Sequence, residues 1–389
     1  MNTKRFHQIL SYILVAVLSV TVTASVFLCI GLTQKKEQSK LDALEELILG
    51  CFIGEADQVY IEDAAADAMV NALGDRWSYY VPADQVAALM EDRKNAYVGI
   101  GVTITVNEDN SGLKIIQIAE GGSAEEAGLQ VGDVIVAVGG RPVKDRSLEE
   151  IKNEIRGEAD TELEITAERN GKQFKATVTR KEIKTPVATA QMLKDKIGLV
   201  RIVNFNDNCK TETLAAIDEL MEQGAKKLIF DVRFNGGGSA SEMVAVLDYL
   251  LPEGPVFRTE DYTGKETVEK SDANCVELPM AVLVNGESYS AAEFFAAALQ
   301  EYEKAVIVGE QTTGKGYFQY TYMLPDGSAV GLSTGKYFTP KGISLEEKGI
   351  TPDVVVPVDE EMANAIYAGT IKPQDDHQIQ AAIKALNAQ

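Results

Sequence analysis

The sequence predicts a multidomain α/β (α+β) protein: an α/β layer, a separate β-rich domain, a helical segment and an apolar N-terminal span. Three observations predict it. From Ile197 onward, strand-length apolar runs alternate with helical patterns, which argues parallel strands covered by helices. Between Tyr97 and Ile183, short strands follow one another, and Asn170-Gly171 is a strong hairpin signal. Ile9 to Leu32 is a 24-residue run without a charge, and a helix of that length crosses a hydrocarbon core of ~30 Å.

In chain order, Ile9–Leu32 is expected to be a single-pass transmembrane anchor, or alternatively a cleaved signal with a weak cleavage site near Thr23-Ala24-Ser25. Cys29 invites a lipoprotein reading, but Phe27-Leu28 are bulky where that processing wants small residues. A polar linker follows. Leu41 to Met90 carries helical spacing, with Leu41, Leu44, Leu47 and Ile48, then Ile61, Ala65, Met69 and Ala72. Strands are expected at 101–106, 113–118, 134–138, 163–168 and 174–179, with an amphipathic helix over Leu148–Ile155. Then come strand 198–203, helix 211–223, strand 227–232, helix 239–251, strand 280–284, helix 290–300 and strand 305–308. Tyr317–Leu324 and Ala329–Ser333 form a hairpin across Pro325-Asp326-Gly327.

Composition narrows the chemistry. With 389 residues, 45% apolar and 25% charged, the chain is globular rather than disordered. A net charge of −22 repels phosphate backbones, so nucleic acid is excluded as a partner. The cysteines are too few and too widely spaced for a disulfide framework. Only His7 and His377 are available, both near the ends, so a histidine triad and a histidine-rich zinc site are disfavoured; no metal or cofactor is expected.

Three motifs carry chemistry. Asp231-Val-Arg-Phe-Asn-Gly-Gly-Gly238 is a strand ending in a glycine turn that opens a helix, where backbone N–H groups can face a developing anion; a plain tight turn is the alternative. Val284-Asn-Gly-Glu-Ser-Tyr-Ser290-Ala-Ala-Glu293 is a second strand-turn-helix, in which Ser290 serves equally as nucleophile or helix N-cap and Ser288 is a rival nucleophile. Gly309-Glu-Gln-Thr-Thr-Gly-Lys315-Gly316 resembles a P-loop, but Gly316 stands where the magnesium-binding hydroxyl belongs and a hairpin follows in place of a helix. A serine and a lysine suffice for acyl transfer without histidine, provided that burial lowers the lysine pKa from about 10.4. A solvated loop lysine is the alternative for Lys315.

Taken together and in this order, the motifs resemble the C-terminal processing peptidases, also called tail-specific proteases. Ala72-Leu-Gly-Asp-Arg-Trp-Ser-Tyr-Tyr80 is similar to their N-terminal signature, and Gly121-Gly-Ser-Ala-Glu-Glu-Ala-Gly-Leu-Gln-Val-Gly-Asp133 to their PDZ domain. Lys336–Gly342 and Lys348–Val354 resemble the closing part of the protease core. The resemblance implies a crotonase-like α/β serine protease core with Ser290 as nucleophile, Lys315 as general base 25 positions later, and Gln319 orienting the amine. A straight strand would part the Lys315 and Gln319 Cα atoms by ~13 Å, so the backbone must bend near Gly316. It further implies an oxyanion hole from the N–H groups of Ala291 and one glycine of the 236–238 turn, favouring Gly237. The loop containing Gly99, Ile100, Gly101 and Val102 would bind a peptide carboxylate, and the PDZ module would recognise and gate protein substrates with free C-terminal tails.

The implied domains are 1–8, a cytoplasmic N-terminus; 9–32, the anchor or signal; 33–40, a linker; 41–96, a helical region; 97–183, PDZ; 184–360, the core; and 361–389, a tail. The body would lie outside the cytoplasm at the cell membrane, or be secreted if the apolar span is cleaved. Two departures stand out: Gly236 where the family has Pro or Ser, and Tyr289 where it has a small or hydroxyl residue. They motivate a second hypothesis, an inactive PDZ-bearing relative that binds peptides. A P-loop nucleotide-binding protein is a remote third.

Overall fold

The computed structural model describes residue 7, residues 17–23, and residues 39–388 apart from 108–110, 120 and 145. The chain forms two compact units, Met1–Ala72 and Leu73–Gln389. In the first, α1 (Lys40–Cys51) begins at a reciprocal cap, where Ser39 Oγ accepts from Asp42 N at 3.1 Å and Asp42 Oδ2 accepts from Ser39 N at 3.2 Å. In α2 (Gln58–Asn71), Asp57 caps the N-terminus through Tyr60 N, and Val70 is its one buried residue.

The N-terminal transmembrane helix is the part of the expected fold that is corrected. Among the described residues no helix is long and apolar enough to cross a membrane. Of the expected span, residues 9–16 and 24–32 lie outside the described residues.

The second unit opens with β1 (Tyr79–Val81) and α3 (Val86–Lys94), the latter ended by Asn95 in the left-handed conformation at φ 50°. Strand β2 (Ala96–Gly99) leads into the β-rich domain. There β3 (Val102–Val106), β4 (Leu113–Ile118), β5 (Val134–Val138), β6 (Arg141–Pro142), β7 (Glu162–Arg169) and β8 (Lys172–Thr179) form one antiparallel sheet. The short helix α4 (Ser123–Glu126) and the amphipathic α5 (Leu148–Ile155) cover a core of Ile100, Ile115, Ile135, Ile151 and Ile165. Exit strand β9 (Lys181–Lys184) pairs with β2, so the chain enters and leaves this domain on one two-stranded ladder.

The remainder is built on a six-stranded sheet. Its strands are β10 (Ala188–Met192), β11 (Ile197–Ile202), β12 (Lys227–Asp231), β15 (Met280–Val284), β16 (Ala305–Gly309) and β19 (Val354–Val355), in that spatial order. All pairings are parallel except the β10 edge. Parallel strands are buried on both faces, which is why Met280–Val284 is wholly apolar and wholly buried. One face is covered by α6 (Cys209–Glu222), α7 (Ala240–Leu250) and α8 (Ala291–Glu301). Residues 291–299 of α8 are all buried, as expected of a helix lying inside the core.

The segment expected as a tail is structured. It forms α9 (Glu360–Tyr367) and α10 (His377–Ala388), and Ile379, Ala382 and Leu386 of α10 pack on the opposite face of the sheet against Ile229, Ala281 and Leu283. These three recur at helical spacing, so burying that stripe holds the helix in place. A second, antiparallel sheet joins β1, β17 (Tyr317–Met323), β18 (Ala329–Phe338), β13 (Gly254–Asp261) and β14 (Glu266–Ser271). The β13–β14 hairpin is absent from the sequence reading because Glu266–Ser271 is half charged, mostly exposed and lacks apolar alternation.

Candidate active site

Three adjacent parallel strands, β12, β15 and β16, end on the same edge of the sheet. The glycine turn, Ser290 and Lys315 each follow one of these carboxyl ends, the usual location of sites in open α/β sheets. The cleft there has a volume of about 340 Å³ and is lined by Arg93, Gly236, Gly238, Ser290, Lys315 and Gln319, among others.

Ser290 sits at φ 58°, ψ −126°, immediately before α8. An N-cap ordinarily has extended backbone; a positive φ on a β-branch-free but non-glycine residue is strain that the surroundings must hold. Glu293 supplies part of that hold. Its carboxylate is fully buried and accepts from Ser290 N at 3.0 Å and Lys315 N at 2.8 Å through Oε2, and from Gly314 N at 2.8 Å and Thr312 Oγ1 at 2.5 Å through Oε1. Burial raises its pKa, and these four donors act against that rise. One carboxylate thus ties the backbone of the serine to the backbone of the lysine.

The neighbouring hydroxyl is differently engaged. Ser288 is fully buried; its Oγ donates to Val232 O at 2.8 Å and accepts from Asn285 N at 3.1 Å. It braces the turn and does not reach the cleft lining. The P-loop reading fails on geometry. The amides of Gly314 and Lys315 point at Glu293, that of Gly316 donates to Glu346 Oε2 at 2.6 Å, and a strand follows. Carboxylates occupy the donors that a phosphate would need.

Lys315 is half-buried, and its ammonium lies 4.9 Å from the Trp77 ring centre and 5.9 Å from that of Tyr289. Burial lowers its pKa to about 8, against the opposing pull of Asp75 and Glu346. No hydrogen bond joins Nζ to Ser290 Oγ among the described residues, although both line the cleft. Gln319 also lines it. The ladder shifts register between Phe318 and Gln319, and the Gln319 amide nitrogen donates to Tyr317 O at 3.2 Å and Ser333 Oγ at 2.9 Å rather than meeting Lys315.

The glycine turn is shaped for close approach. At Gly237 (φ 91°) a Cβ would stand 2.7 Å from Ser290 Cβ and 3.0 Å from Ala291 N, so no side chain fits. Its N–H, the expected oxyanion donor, is already given to Asn235 Oδ1 at 2.8 Å; the glycines lining the cleft are Gly236 and Gly238. Ala291 is the first residue of α8, so its N–H has no partner within the helix.

Behind the turn lies a buried ion cluster. Arg233 donates to Asp231 through Nε at 2.8 Å and Nη2 at 2.7 Å, and its Nη1 is 2.9 Å from Asp376 Oδ2. Burial opposes the guanidinium charge, but the two carboxylates outweigh it and hold its pKa above the ordinary value. The α9–α10 segment is thereby tied to the start of the glycine turn. Glu293, Trp77 and the Arg233 cluster were not assigned roles from sequence. Ser290-Ala-Ala-Glu293 has the capping-box spacing, which was the available signal for Glu293.

In the β-rich domain, Gly99, Ile100, Gly101 and Val102 share a groove of about 250 Å³ with Lys152 and Arg156 at the end of α5. His377 is exposed at the start of α10.

Comparisons with known proteins agree with this architecture. The profile of Peptidase family S41 matches residues 196–356, and that of the PDZ domain matches 114–169. A probable CtpA-like serine protease of Staphylococcus saprophyticus is 30% identical over 365 residues, covering 90% of this chain and 73% of the relative. One from Staphylococcus aureus (strain COL) is 29% identical over 371 residues, covering 91% and 74%. Among solved structures, a photosystem II D1 C-terminal processing protease is 30% identical with a TM-score of 0.48, covering 81% of this chain and 86% of that one. A candidate S41 protease of Bacteroides fragilis has the same fold with a TM-score of 0.51 at 16% identity, covering 89% and 97%. The chain therefore belongs to peptidase family S41, as a CtpA-like serine protease that carries a PDZ domain.

Proposed function

We propose that this peptidase cleaves protein substrates near free C-terminal tails with Ser290 as nucleophile and Lys315 as general base. The neutral Lys315 amine takes the Ser290 hydroxyl proton as Oγ attacks the scissile carbonyl, then passes it to the leaving amine; water completes hydrolysis of the acyl-enzyme. The Ala291 N–H and an N–H of the 236–238 turn stabilise the oxyanion. Gln319, its amide nitrogen held by Tyr317 and Ser333, leaves its oxygen to accept from the amine. The groove at Gly99–Val102 receives the tail carboxylate while the peptide adds as a strand.

The observation that carries this reading is a strained serine and a half-buried lysine of pKa about 8 lining one cleft, with no histidine in that lining. Cleavage of an unfolded protein by wild type, Ser290→Ala and Lys315→Ala tests it. Loss of activity in both variants is expected, and equal cleavage by all three refutes the dyad.

A further inference from the structure

The residues around the Lys315 ammonium are unusual in being aromatic. Trp77 and Tyr289 stack with ring centres 6.1 Å apart at 27°, and the Arg76 guanidinium covers the Trp77 ring at 4.1 Å. Trp77 is anchored rather than loose. Its N–H groups donate to Glu346 Oε1 at 3.2 Å and to Asp75 Oδ1 at 3.1 Å. Arg76 reaches the carbonyl of Gly314 at 3.3 Å, so this segment is fastened to the loop that carries Lys315.

Tyr289 is admitted by a matching absence. A Cβ at Gly236 would lie 2.6 Å from the Tyr289 hydroxyl oxygen and 2.8 Å from Cζ, so the Tyr289 ring would have to shift from its place to admit one. Gly236 has no positive φ that would itself demand glycine. The two departures noted in the sequence, a large residue at 289 and none at 236, therefore compensate each other in space.

We propose that the Trp77 and Tyr289 rings form a seat for the Lys315 ammonium, made possible by Gly236, and act as positioning residues for the general base. This inference rests on the Ser290–Lys315 reading above. Ring faces attract a cation and not a neutral amine, so the seat favours the charged form of Lys315 and opposes burial. Other groups facing the ammonium are Asp75 and Glu346, which favour its charge; Arg76, which opposes it; and Glu293, which weakly favours it. The seat holds the base protonated until a substrate draws the amine toward Ser290, and it lowers activity near neutrality.

Trp77 is the only tryptophan in the chain, so biosynthetic replacement by mono-, di- and tetrafluorotryptophan alters this ring alone. Fluorination weakens the ring's attraction for a cation with little change in size. With the full-length enzyme, the acid limb of kcat/KM should move stepwise to lower pH, by about 0.5–1 pH unit at the highest substitution. At pH 7 that is roughly a two- to fivefold rise in kcat/KM for a base starting near pKa 8. The ¹⁹F resonance should titrate with the same midpoint, and that titration should vanish in Lys315→Met. A midpoint unchanged across the series, or a ¹⁹F titration that survives Lys315→Met, overturns the seat. Undiminished cleavage by Lys315→Met would instead refute the dyad, whatever the resonance does. As an independent arm, Gly236→Ser should lose stability and activity, and Gly236→Ser with Tyr289→Ser should recover most of both. Failure of the second change to rescue the first removes the compensation.

Discussion

Glu293→Gln replaces one acceptor oxygen of a fully buried carboxylate by a donor group. The amide can face either way. With nitrogen in place of Oε1 it meets Gly314 N–H and the Thr312 hydroxyl; the hydroxyl already accepts from Ile350 N at 2.7 Å and can turn, so one backbone N–H is stranded. With nitrogen in place of Oε2 it strands both Ser290 N–H and Lys315 N–H. At about 1–3 kcal/mol for each buried donor left unmade, the first arrangement costs about 1–3 and the second about 2–6 kcal/mol. The opposing effect is relief of carboxylate burial, which is strong enough to raise the Glu293 pKa despite four donors. Stranded amides cannot be moved to water here, whereas the carboxylate's penalty is already offset in part by its bonds. Net destabilisation is therefore expected, with a Tm loss on the order of 3–8 °C at pH 7. Differential scanning calorimetry measures it, and cleavage at a temperature where both proteins are folded reports the loosened serine and lysine. A variant that melts at or above the wild-type Tm refutes the reasoning, since burial of the charge would then dominate.

Arg233→Met leaves Asp231 and Asp376 buried without their shared cation, and should cost about 3–5 kcal/mol by chemical denaturation. Ser288→Ala removes the brace between Val232 O and Asn285 N and should lower stability by about 1–3 kcal/mol while the folded fraction still cleaves. Abolished cleavage in folded Ser288→Ala would restore it as a rival nucleophile. Because the base acts when neutral and its pKa is lowered to about 8, kcat/KM should rise with pH through that region and level off above it, unlike a base titrating near 10.4. A stopped pH series on one peptide substrate checks this.

Much of the fold was legible because parallel strands announce themselves. Met280–Val284 and Lys227–Asp231 are largely apolar runs that each lead into a glycine-containing turn, and both observed strands fall within a residue of their expected places. The β13–β14 hairpin and α10 were not read. The first is polar, and the second is an amphipathic helix in a region whose only conspicuous features are charge and a histidine. At the site, serine, lysine and glycine turn could be ordered from motifs, but not their supports. Glu293 accepts from residues 19 to 22 positions away, and Trp77 meets Lys315 across the whole β-rich domain. Contacts of that separation leave no periodic trace. Nor could sequence show that Asn235 consumes the Gly237 N–H, which depends on a side-chain torsion.

The guanidinium of Arg233 has consequences for vectorial synthesis. Its partner Asp231 leaves the ribosome almost with it, but Asp376 and Gln378 emerge some 145 positions later. Until then a growing polypeptide has the glycine turn with only half of its electrostatic footing. Arrested chains that stop short of Asp376 are expected to leave an added unfolded protein intact, while arrests placed beyond α10 digest it.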